Sequence, residues 1–158
     1  MNRRLASIPV TLGLSILACG APSSVPAATW RVDDSATLPG EATTAMHWRS
    51  VGPTRRDGAI VDGATVVTLV LNTAPWLHRI GRIYMFLPEQ SIGSVAVSWQ
   101  TQGRLRPGSL VSGQRTLVYA GPITGPRITD TLAVSVSADG RRLVSPQRLE
   151  FQFQIDVE

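Results

Sequence analysis

The sequence predicts an all-β chain: a single immunoglobulin-like β-sandwich of about seven strands behind a cleaved signal segment. Three observations predict it. Apolar residues recur with period two along most of the chain beyond Gly40. Charged residues are only 16% of the 158, against the roughly 25% usual in soluble domains. The 14 Gly and 11 Pro fall at short intervals, as turn residues between strands do.

Residues 1–28 read as an export signal. Arg3 and Arg4 give a charged start, and Leu5 to Leu17 a short apolar run interrupted by Pro9 and Gly13. A bilayer span takes about 20 apolar residues, so this run is a signal core rather than an anchor. It ends in Ile16-Leu17-Ala18-Cys19, which resembles the lipobox of bacterial lipoproteins. The resemblance implies that Cys19 becomes the acylated first residue of the mature protein and holds it on a membrane. Val25-Pro26-Ala27 before Ala28 has the small-residue form of an ordinary cleavage site, which would discard Cys19 instead. On either reading the folded part has no thiol, which excludes a disulfide scaffold, a Cys-ligated metal and a Cys nucleophile. About 130 residues bury enough surface to fold without such staples.

Residues 29–40 form an N-terminal extension in which Trp30 and Val32 are placed to dock as a short edge strand. The sandwich itself is expected over 41–158. Short strands are expected near Met46 to Val51 and at Thr116 to Ala120. Val66 to Leu71 is apolar on both faces and reads as a central strand, and Ile80 to Leu87 as an apolar strand stopped by Pro88. In the next two, Val95, Val97 and Trp99 alternate with Ser94, Ser98 and Gln100, and Leu132, Val134 and Val136 with Thr131, Ala133, Ser135 and Ser137. The last segment alternates without a break: Leu149, Phe151, Phe153, Ile155 and Val157 on one side, Glu150, Gln152, Gln154, Asp156 and Glu158 on the other. Such a strand lines a core on one face and meets water on the other. Asp57-Gly58, Asp62-Gly63, Gln102-Gly103, Pro107-Gly108, Gly121-Pro122, Gly125-Pro126 and Asp139-Gly140 are the expected turns.

Every basic residue is Arg, and without Arg3 and Arg4 the formal net charge falls from +4 to +2. The remaining Arg are scattered, whereas nucleic-acid binding needs a clustered basic stripe. No nucleic-acid partner, cofactor or metal is expected. His47 and His78 lack zinc-ligand spacing, and Asp33, Asp34, Asp57, Asp62 and Asp130 do not reproduce a calcium loop. His47, Asp57 and a Ser can be drawn as a triad, but no Gly-x-Ser-x-Gly elbow accompanies them, so no catalytic residue is assigned.

What remains is binding. The body resembles, in pattern, the disulfide-free immunoglobulin-like fimbrial subunits of Gram-negative bacteria, with Leu149 to Val157 standing where those subunits keep a closing strand. The penultimate residue is Val157 rather than an aromatic, so the resemblance implies a minor or accessory component of a surface fibre or its assembly. That role implies envelope or appendage partners, met by β-strand addition. A second expectation is an envelope lipoprotein that binds a carbohydrate or protein through Trp48, Trp76, Arg79 and Arg82, since exposed Trp and Arg dominate binding hot spots. A small hydrolase is the third, and needs His47 or His78 within reach of an Asp and a Ser.

Overall fold

The computed structural model describes residues 28–40, 44–49, 59–143 and 145–158. Ten strands are present among them: β1 Thr29–Val32, β2 Leu38–Pro39, β3 His47–Trp48, β4 Ile60–Asn72, β5 Ile80–Phe86, β6 Val95–Thr101, β7 Gly108–Val111, β8 Arg115–Pro122, β9 Arg127–Asp139 and β10 Gln152–Val157. One sheet runs β1-β10-β5-β8 and the other β2-β4-β9-β6-β7, with β3 also pairing β4, and all pairs are antiparallel. The chain is therefore a β-sandwich, as its periodicity predicts.

The strand order differs from the immunoglobulin-like expectation. β6 pairs β7, β5 pairs β8 and β4 pairs β9, so three antiparallel pairs nest about one hairpin and the ribbon rolls over itself. This is an order of the jelly-roll kind, in which successive strands of the ribbon alternate between the two sheets. β9 also pairs β6, which closes the second sheet, and β10 with β1 extends the first from the free side of β5.

Alternation sets which side chains meet between the sheets. Leu69, Leu71, Val95, Val97, Trp99, Leu132 and Val134 come from one sheet and Val32, Ile83, Met85, Phe153 and Ile155 from the other, all buried. Trp99 takes the core place its alternation predicts, and its Nε1 donates to the Arg106 carbonyl at 2.9 Å. The ring edge lies 2.9 Å from where a Cβ would stand on Gly108, so that position takes no side chain.

Two expected turns lie inside strands: Gly121-Pro122 ends β8, opposite Gly81 and Ile80 of β5, because the β5–β8 ladder runs on through it. Asp62-Gly63 lies inside β4, opposite Ser137 and Val136 of β9. The Met46 side chain occupies the space that a Cβ on Gly63 would need, so here glycine admits a packing neighbour rather than reversing the chain. Asp57-Gly58 and Cys19 lie outside the described residues, as do Ser50 and Val51 at the end of the expected Met46 to Val51 strand.

Candidate functional site

Four residues were expected to present a ligand surface, and the fold separates them. Trp48 pairs with Val61 near the start of β4, whereas Trp76 follows the end of β4 in a single 3-10 turn at Ala74–Trp76. About 35 Å of strand lies between these points at roughly 3.3 Å per residue. Trp76 is half-buried and packs against the core, capping one end of the sandwich. Its turn is stitched to the β8–β9 connection: Thr73, fully buried, donates from N to the Pro126 carbonyl at 2.9 Å and from Oγ1 to that of Gly125 at 2.8 Å. Trp48 is 55% exposed, with its ring over Gly140.

Arg79 and Arg82 turn to the chain's own end. Arg79 Nη2 donates to the backbone carbonyl of Glu158 at 3.2 Å, and Arg82 Nη2 pairs with Glu158 Oε1 at 2.9 Å. The Glu158 amide donates in turn to the Ile80 carbonyl at 3.1 Å. Both guanidinium groups thus fasten Glu158 beside β5, and the sequence gives no local sign of it because the partners are almost 80 residues apart.

The closing strand seats in its own domain. β10 lies between β1 and β5, with Phe153 opposite Val32 and Met85, and Ile155 opposite Trp30 and Ile83. Phe153, Ile155 and Val157 are buried; Leu149 and Phe151 precede the strand and pack, half-buried, against the core. Burial of each large apolar chain stabilises by roughly 1.5–3 kcal/mol, so lending this strand to another molecule would forfeit much of the core. β1 is different. It pairs β10 along one edge, and no described strand pairs its other edge. Thr29, Trp30 and Arg31 are exposed there, Trp30 by 56%.

The acidic candidates find local partners. Arg49 donates from Nε and Nη2 to Asp62 Oδ2 and Oδ1 at 2.7 and 2.6 Å, and this hydrogen-bonded guanidinium holds the Asp62 carboxyl below the usual carboxylate range. His47 stands opposite Asp62 in the ladder, but both oxygens of that carboxylate are engaged by Arg49. Asp33 accepts from Ser35 N at 3.0 Å, and hydrogen bonds from Ser35 lower its pKa. Asp130 is buried and accepts from the backbone N–H groups of Thr131, Leu105 and Gln102 at 2.7, 2.8 and 3.3 Å. His78 sits exposed in a turn at φ 64°, its N–H on the Ile123 carbonyl. Among the described residues no three His, Cys, Asp or Glu side chains gather as a metal would require.

A surface that the residue-by-residue reading passes over is the outer face of the second sheet. Ser98, Ser109, Ser135 and Ser137 floor a shallow depression of about 720 Å³, with His47 and the Arg49–Asp62 pair on its border. Its signal was the set of residues alternating with the apolar ones in β6 and β9, which are Ser and Ala rather than charged. No family model matches the chain, and no curated protein or solved structure shows significant similarity to it.

Proposed function

We propose that this chain is a non-enzymatic structural or interaction protein of the cell envelope, an accessory or minor component of a surface fibre or its assembly, that accepts a partner strand along the open edge of β1. The carrying observation is that edge: four residues of paired-on-one-side main chain, three of them exposed, bearing a Trp that is 56% exposed. Unpaired N–H and C=O groups on a strand edge bind extended peptide by main-chain pairing, and an adjacent aromatic adds contact area. Export places the domain where such partners are, and Cys19 or the site before Ala28 decides whether it is lipid-anchored or released. The loop-ligand reading loses its basis in co-location, since Trp48 and Trp76 cap opposite ends of β4 and Arg79 and Arg82 hold Glu158.

The test is made in envelopes of a Gram-negative host expressing the native chain. A photo-crosslinking residue in place of Trp30 should give one defined envelope adduct, and one in place of Ser98 should not. Single prolines across Thr29–Val32, which remove ladder donors, should abolish the Trp30 adduct while Arg31→Ala preserves it. Equal crosslinking from both positions, or indifference to proline at every position, would overturn strand addition. Intact mass of the same material should begin at Cys19 with added acyl mass or near Ala28 without it; an uncleaved, unmodified Met1 product overturns export.

A further inference from the structure

The two sheets differ in what they turn outward. The outer face of the first carries Arg31, Arg82, Arg115 and Asp156, the charged covering expected of a strand face in water. On the second sheet the outward positions alternate with buried Leu69, Leu71, Val97, Trp99, Leu132 and Val134. Between the Asp62–Ser137 pair at one end and the Asn72–Arg127 pair at the other, every outward residue of β4, β9, β6 and β7 is Ala, Ser, Thr, Val or Gln. Two exposed large hydrophobic residues lie on the same face: Val66, 51% exposed, and Leu38, 67% exposed, which β2 sets beside Thr68.

Depletion of charge marks the centre of a protein interface more reliably than bulk hydrophobicity does. The extent of the face bears on its occupant. With strands about 4.8 Å apart and a rise of about 3.3 Å per residue, β4, β9, β6 and β7 spread roughly 600 Å² of sheet. Two such faces meeting would bury roughly 1,200 Å² before the relief of the side chains is counted, which reaches the size of stable interfaces. The ends of the face then select an orientation. Arg127 makes no ion pair with a described residue, and the Asp62 carboxylate has acceptor sites beyond the two that Arg49 uses. Two copies stacked with strands antiparallel, about a two-fold axis lying in the face across the strands, bring the Arg127 end of each over the Asp62 end of the other. A parallel stack would set like charges together at both ends.

We infer that the outer face of the second sheet holds a second copy of this chain, face to face with strands antiparallel, as a two-fold dimer. It uses the sheet that does not contain β1, so it is independent of strand addition.

Sedimentation equilibrium of the full chain should show a species of twice its 17.0 kDa that dissociates on dilution. Ala133→Arg, at an exposed position near the middle of β9, sets like charges together close to the axis and should leave a monomer with an unchanged melt. Ala133→Glu should do the same, and mixing the two variants should restore the dimer, as a face that meets itself requires. Gln154→Arg, which adds the same charge to the outer face of the first sheet, should leave the dimer intact. Ser135→Arg, exposed on the same face, repeats the test where Ala133→Arg lowers the melt. A crosslinker at Ser98 should join two copies of the chain, an adduct of twice its own mass, and capture no other envelope protein. A monomer at every concentration overturns the inference. So does association that Ala133→Arg leaves unchanged or Gln154→Arg also breaks, or a mixture of the Arg and Glu variants that stays monomeric.

Discussion

Asp130 is the one buried carboxylate among the described residues, and its three backbone donors explain the loop it faces. Gly103 stands so close that a Cβ there would lie 2.9 Å from the carboxylate, so the Gln102-Gly103 turn wraps the acid rather than merely following β6. Asp130→Ala would strip the acceptor from the N–H groups of Leu105, itself buried, and Thr131, while Gln102 N keeps the Thr131 carbonyl, and should cost about 2–4 kcal/mol. Urea denaturation reads this as a lower midpoint with an unchanged slope, and Gly103→Ala should move the midpoint the same way. An unmoved midpoint for Asp130→Ala would remove this role. The burial was legible: continuing the alternation of Val136, Val134 and Leu132 back by two residues reaches Asp130 on the inner face. Two of its partners, Leu105 and Gln102, were not, because they lie 25 and 28 residues away across a fold that local pattern does not specify.

Strands with their own period were visible before the fold was known. β5, β6, β8 and β10 lie where alternation or apolar runs place them, and Trp30 and Val32 form the expected edge strand β1. β2 and β7, of two and four residues, exist because a longer neighbour offers a ladder, so their own sequences carry little signal. β4 and β9 run to 13 residues each, further than their apolar centres suggest, because each continues the other's pairing into Asp, Ser and Thr. β10 is the element on which the first sheet depends, since it carries both β1 and β5. Deleting Leu149 to Glu158 should therefore unfold the domain, seen as loss of the cooperative melt. A truncate that still melts cooperatively would show that β1 and β5 can close the sheet without it.

The nesting of β4–β9, β5–β8 and β6–β7 is a property of the whole chain, and no local pattern announces it. Alternation fixes which face of a strand is apolar but not which strand pairs with which, so a Greek-key order and a nested ribbon are equally compatible with the same seven segments. The candidate site was less legible than the fold for the same reason: the Arg79 and Arg82 partner and the open edge of β1 both arise from pairings distant in sequence. Ile60 pairs Asp139 and Thr29 pairs Asp156, so most of the closing contacts span long loops. Chains dominated by such contacts fold in roughly milliseconds to seconds, and stopped-flow refolding should fall in that range. A microsecond phase carrying the full amplitude would contradict the topology.

The pairing of β1 with β10 joins the first described strand to the last. A chain emerging amino end first, from a ribosome or through a narrow channel, holds β1 and β5 with a gap between them until β10 appears. Completion of the first sheet is thereby timed to the arrival of β10, and until then the edges of β1 and β5 are open to whatever escorts the chain.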